Sequence, residues 1–375
     1  MRMSMTLRTF SLGCFLALAP TIAHAGPVTV TNLVTDKQAA NPAKITDPAL
    51  LNAWGLASSP TGPFWVSSNG GGVSTVYSVN PTTQATTKLG LTVAIPGDGS
   101  VTGQVFNPTG GFNNDAFLFV SEDGTVSGWR SALGTTAEIL QTPGSASYTG
   151  AALSVIGGNH YLYAADFAGG KIDVIKGNAG APDLAGSFTD PTLPSGYAPF
   201  NIQNIGNTLY VAYALVGPDG DEVAGAGLGF VDSFDLAGTM LGRIAGGGAL
   251  NAPWGLAIAP SGFGDMAGNL LVGNFGDGRI SRYDPTNGTF LGQLQTTGGS
   301  AVSIEGLWAL GVGNGGSAGS ASSVYFTAGP DGETHGLFGV LTASVPELQT
   351  WAMMIVGFGV VGATMRRRTS ALSAI

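Results

Sequence analysis

Four side chains place oxygen where a hard cation could be held: Asn52, Asn201, Asn251 and Glu305. Asn52 and Asn251 each stand shortly before a Trp-Gly-Leu-Ala segment. Asn201 stands at the corresponding point of APFNIQNIG, and Glu305 comes just before Gly306-Leu307 in SIEGLWALG. One carboxylate with several amide carbonyls is an all-oxygen donor set, and such a set suits calcium. An ion held there could polarise a lactone carbonyl or a phosphoryl oxygen. The same asparagines could instead tie strand ends together by hydrogen bonds. A second oxygen cluster, Asp219, Asp221 and Glu222, lies in the glycine-rich stretch LVGPDGDEVAGAGLG. It could take calcium or be a solvated loop, and it lacks the ligand spacing and terminal glutamate of a helix-loop-helix calcium site.

Other chemistries find little support. The histidines are His24, His160 and His335. His160 reads as a hairpin tip and His335 as a turn residue, too far apart for a histidine-rich metal site. No Gly-x-Ser-x-Gly elbow, P-loop or HExxH motif occurs. The single cysteine, Cys14, falls in an N-terminal apolar run, so the segment beyond residue 25 has neither a disulfide nor thiol chemistry. The net charge of −9 and the absence of a basic stripe argue against nucleic acid and against an anionic membrane surface.

The elements that would position these oxygens are short strands. LNAWGLASSPTGPFWVSSNGGGVSTVYSVNPTT, from Leu51, resembles LNAPWGLAIAPSGFGDMAGNLLVGNFGDGRISRYDPTNG, from Leu250. Each gives Trp-Gly-Leu-Ala, a loop, an apolar strand, and a further strand closed by Asn-Pro or Asp-Pro. Looser copies begin at Phe117, Tyr161, Leu209 and Val324. Six cores at roughly fifty-residue spacing suggest a radial repeat. In KIDVIKG, Ile172 and Val174 share one face while Asp173 takes the other, the period of a strand. Gly-Asp-Gly, Asp-Gly and Gly-Gly supply hairpin turns, and the 61 glycines serve many tight turns. The expected fold is all-β: a six-bladed β-propeller over residues 26–344, built of four-stranded sheets, with the Gly-Leu-Ala strands lining the axis. VTVTNLVT, near Val28, has no repeat of its own and would add the outer strand of the last blade. Trp54, Trp254 and Trp308 recur at the unit starts and read as blade-packing residues. GNGGSAGSASS, from Gly313, reads as a surface loop.

The two ends read differently. Residues 1–25 follow the order of a secretory signal peptide: Arg2 and Arg8, an apolar run, then Ala23-His24-Ala25, with cleavage expected after Ala25. Residues 351–365, Trp351 to Met365, are uncharged and precede Arg366, Arg367 and Arg368. As a helix this run reaches only about 22 Å at about 1.5 Å per residue, a short span for a bilayer core of about 30 Å. The arginines would hold the tail 369–375 on the cytoplasmic side.

Pro346, Glu347, Trp351 and Ala352, followed by the apolar run and the three arginines, resemble the PEP-type C-terminal sorting signal (PEP-CTERM), here over residues 345–368. Leu348 replaces the second proline of that signal. The resemblance implies export across the inner membrane of a Gram-negative bacterium, transient membrane anchoring, processing by an exosortase, and residence at the cell surface or outside it. TNLVTD from Thr31, ANPAKITDPALLNAWGLA from Ala40 and LNAPWGLAIAP from Leu250 resemble a family of secreted bacterial proteins without an established activity. Its fold is similar to NHL-type six-bladed propellers. The expected function is that of an exported surface or extracellular-matrix binding protein, with polysaccharide or surface proteins as partners. Two alternatives stand beside it: a calcium-dependent lactonase-like or esterase-like hydrolase, which the set at Asn52, Asn201, Asn251 and Glu305 roughly resembles, and a protein–protein scaffold. The fold alone does not choose among them.

Overall fold

A computed structural model describes residues 26–344. The expected signal peptide, the sorting signal and its apolar run lie outside the described residues. Among the described residues no helix is long and apolar enough to cross a membrane.

Six antiparallel sheets follow one another around an axis. Their inner strands are Ala53–Ser58, Val101–Phe106, Tyr148–Ile156, Tyr197–Ile205, Pro253–Ile258 and Leu307–Val312. Each is the first strand of its sheet and contacts the inner strands beside it, so the chain is a six-bladed β-propeller. The Trp-Gly-Leu-Ala repeat acquires a physical reason here. A side chain at Gly55 would collide with the Thr102 carbonyl of the next inner strand. One at Gly255 would come within 2.7 Å of the Trp308 carbonyl oxygen. Neighbouring inner strands approach too closely for a Cβ at these positions.

Closure is made by the strand without a repeat. Val28–Thr35 lies antiparallel to Leu337–Ala343, from Val28 opposite Ala343 to Thr35 opposite Leu337. Asp36 locks the end of this pairing. Its carboxylate accepts from the Gly336 N–H at 3.0 Å and pairs with His335 Nδ1 at 2.7 Å. A short strand, Ile45–Thr46, extends the sheet by pairing in parallel with its outer strand. The stretch from Gly313 is more than a surface loop. Ala318 is fully buried and bridges to Val79 of the first blade, and Asn314 donates to the carbonyls of Ser59 and Gly62.

One blade falls short of the expected four strands. The third consists of Tyr148–Ile156, Asn159–Asp166 and Lys171–Lys176. The following stretch carries Pro182, Pro191 and Pro194, and proline has no N–H to give to a ladder. That stretch instead leans on the fourth blade, where Gly186 and Phe188 donate to Ala237 and Gly238. Phe188 fills the space between Tyr163 and Phe234. His160 also differs from a hairpin tip. It is buried just past Gly157-Gly158, with Nδ1 at 2.7 Å from Asn107 Oδ1.

The closure strand buries Val28, Leu33 and Val34 almost completely. At about 1.5–3 kcal/mol for each such side chain, their loss would consume much of a domain stability of about 5–15 kcal/mol. Deleting residues 26–35 is therefore expected to lower the thermal midpoint sharply, as followed by circular dichroism. An unchanged midpoint would contradict this closure.

Candidate functional site

The inner strands all begin at one end of the axis, and each second strand ends there. Loops at that mouth therefore carry their side chains toward a common point. Asn52 precedes the first inner strand in a left-handed conformation, φ 45°, matched by Ala252 at 45° and Gly306 at 62°. Asparagine tolerates this region better than most residues, so blade one keeps a polar side chain there. Its Oδ1 accepts from Trp308 Nε1 at 2.9 Å, and its Nδ2 donates to Glu333 Oε1 at 3.1 Å and to Asn69 Oδ1 at 3.4 Å. Asn69 in turn donates to Glu122 Oε2 at 2.8 Å.

Three glutamates thus meet the mouth from alternate blades. Glu122 follows the second strand of blade two, Phe117–Ser121. Glu333 lies in the turn after Val324–Ala328 of blade six. Glu222 belongs to the insertion of blade four. There Glu222–Val223 folds back onto Thr208–Val216, with Glu222 opposite Val216. All three are half-buried. Burial, then the charges of Glu333, Asp221 and Glu122, push the Glu222 carboxyl up to about 7. Burial raises Glu122 against the opposing hydrogen bond from Asn69, with further upward pushes from Glu333, Asp98 and Asp221. Burial likewise raises Glu333, with Asn52 opposing and Asp221 reinforcing. Among the described residues no lysine, arginine or histidine forms an ion pair with any of the three. A carboxyl that is desolvated and faced by like charges holds its proton more tightly.

Under the carboxylates the axis is closed by aromatic rings. Trp54 and Trp308 stack with centroids 3.6 Å apart at 14°. Phe275 lies on Trp308 at 4.2 Å, and Trp254 meets it edge-on at 5.9 Å. Trp254 Nε1 donates to the Thr149 carbonyl, whereas Trp54 Nε1 is buried without a partner. The three repeated tryptophans pack blades together, as the sequence suggests, and also form the floor of the mouth.

The residues picked from sequence divide into two groups. Asn52 and Glu222 join the mouth. Asn201 is fully buried within its inner strand and donates Nδ2 to the Trp254 carbonyl at 2.8 Å, tying blade four to blade five. Asn251 accepts from the Gly225 N–H at 2.6 Å and pins the insertion of blade four. Glu305 is exposed and accepts from the Asp331 N–H at 3.1 Å. Asp219 and Asp221 are exposed on the insertion. Asn69, Glu122 and Glu333 were not among the candidates. Asn69 and Glu122 hold one repeated position, the residue after the second strand, visible in FWVSSN and FLFVSE. Glu333 lies in a loop without a counterpart and carries no such signal. Among the described residues no group of three or more histidine, cysteine, aspartate or glutamate side chains is arranged to hold a metal ion.

No protein-family model matches the chain. Uncharacterized protein R648 of Acanthamoeba polyphaga mimivirus is 32% identical over 321 residues, covering 80% of this chain and 76% of that protein. Uncharacterized protein L690 of the same virus is 32% identical over 314 residues, covering 79% and 81%. Of solved structures, a streptogramin B lyase is similar with a TM-score of 0.46 at 14% identity, covering 85% of this chain and 98% of that one. The Pseudomonas aeruginosa periplasmic gluconolactonase PpgL gives 0.44 at 15%, covering 78% and 86%.

Trp308 is fully buried and touches four other rings as well as Asn52. Trp308→Ala is expected to cost about 3–5 kcal/mol, read from urea unfolding of the full chain. A loss below about 1 kcal/mol, the size of a surface change, would contradict the packed floor.

Proposed function

The chain belongs to the family of the mimivirus proteins R648 and L690, and from its carboxylate mouth we propose a ligand-binding propeller that takes up calcium there and, through it, an oxygen-rich ligand. The observation that carries this reading is the set of three half-buried glutamates from alternate blades, each raised in pKa and none paired with a cation among the described residues. Carboxyls that are desolvated and faced by like charges would gain from a cation among them. Glu122, Glu222 and Glu333 are not arranged around one ion as they stand, so calcium would have to draw these carboxylates together, with Asn69 as a neutral oxygen donor. Every donor is oxygen, which favours calcium over zinc. Calcium would compete with the amides of Asn69 and Asn52 for Glu122 and Glu333.

A second reading, hydrolysis of a lactone or related ester, is favoured by Glu222 alone. A carboxyl titrating near neutral pH can both give and take a proton. We also propose export with cleavage after Ala25, supported by the order of charged, apolar and small residues before it. Intact mass of protein released from its source would begin at Gly26, and a mass retaining Met1 would contradict export by this route.

Calcium competes with protons, so its affinity should rise with pH as Glu222 loses its proton near 7. Titration calorimetry of the full chain is expected to show roughly tenfold tighter calcium binding at pH 8 than at pH 6, with proton release. Glu222→Gln should weaken binding and remove that pH dependence. Absence of heat at millimolar calcium, or binding indifferent to pH, would contradict the reading.

A further inference from the structure

The opposite mouth of the axis has a different chemistry. There the inner strands of blades one to four end around a cavity of about 210 Å³. Ser58 and Phe106 are the last residues of their strands, and Gln203 and Asn204 stand near the end of theirs. None of the residues lining the cavity is ionisable. Each inner strand is the first of its sheet, so one backbone edge faces the axis instead of another strand. Side-chain amides already use two of these carbonyls. Gln104 Nε2 donates to Gly55 O at 3.0 Å and Asn204 Nδ2 to Leu153 O at 2.8 Å. Beyond them the cavity gathers backbone donors and acceptors together with the amide of Gln203 and the carbonyl oxygen of Asn204. The wall is otherwise apolar: Leu56, Val105 and Leu153 line it and are half-buried.

We propose that this mouth is a second binding site, for a neutral polyhydroxylated ring of monosaccharide size. A charged ligand would find no counter-charge here, and desolvating it unpaired would be costly. An apolar ligand would leave the strand-edge donors and acceptors buried without partners. A sugar ring meets both conditions. Its hydroxyls can give to and take from backbone and amide groups, and its C–H faces can lie against Leu56, Val105 and Leu153. The cavity is smaller than the roughly 300–1,000 Å³ of drug-sized sites, which limits it to one ring, the terminal unit of any longer chain. This site does not depend on the carboxylate mouth and would stand if calcium binding failed there.

The test is ligand-observed saturation-transfer NMR on the full chain with the methyl glycosides of glucose, galactose and mannose as probes. At least one is expected to receive saturation. Leu153→Trp, which fills the cavity from its wall, should abolish the transfer. Gln203→Ala, a half-buried change at its edge, should weaken binding about three- to tenfold. Both variants are scored only where the thermal midpoint stays at the parent value, and Gln203→Ala serves if Leu153→Trp misfolds. No transfer to any of the three glycosides would overturn the proposal, as would transfer unaltered in the folded variants.

Discussion

Six inner strands meet at one axis, and the whole structure depends on how that crowded space is filled. Near its walls, glycine gives way to backbone. At Gly55 and Gly255 the carbonyls of neighbouring inner strands occupy the place of a side chain. At its centre the space goes to rings, with Trp308 stacked between Trp54 and Phe275. This packing joins the inner strands of blades one, five and six near the axis. It also fixes Asn52, whose carbonyl oxygen holds Trp308 Nε1 while its amide reaches Glu333 and Asn69. Packing and chemistry therefore share one residue.

The two mouths follow from chain direction. Every inner strand starts at one end, so the loops after the second strands bring Glu122, Glu222 and Glu333 to that end from alternate blades. The other end receives the ends of the inner strands and their connections to the second strands, and its cavity is lined by amides and apolar side chains. One mouth is an acidic bowl over an aromatic floor, and the other is a neutral cup with apolar side chains in its wall. A cation and a neutral ring are the ligands that these two surfaces respectively favour.

Much of the fold is legible in the residues. The Trp-Gly-Leu-Ala repeat, the paired turn signals and the unrepeated VTVTNLVT lead to six blades and a closing outer strand, because period and repeat are local properties. The missing strand of blade three was also written in Pro182, Pro191 and Pro194, but it is obscured when copies are aligned by their inner strands. The site was less legible. Asn251 looks like the partner of Asn52 in sequence, yet the added Pro253 shifts the match, and the structural counterpart is Ala252. Asn201 looks like a ligand and is a tie between blades, since the ladder turns it to the Trp254 carbonyl. Glu122 and Glu333 become meaningful only once the ring brings residues more than two hundred positions apart around one mouth. Convergence of that kind comes from closure and has no local signature.

The central claim is that Glu122, Glu222 and Glu333 form one electrostatic group. The most direct measurement is a carbon-13 NMR titration of the glutamate carboxyls, assigned through single glutamine substitutions. The expected result is that Glu222 titrates at about 7 and that Glu122 and Glu333 titrate above the ordinary glutamate value of about 4.3. Replacing Glu333 by glutamine should lower the midpoints of Glu122 and Glu222, because a like charge has been removed. Three independent titrations near the ordinary value, unmoved by the substitution, would contradict the account.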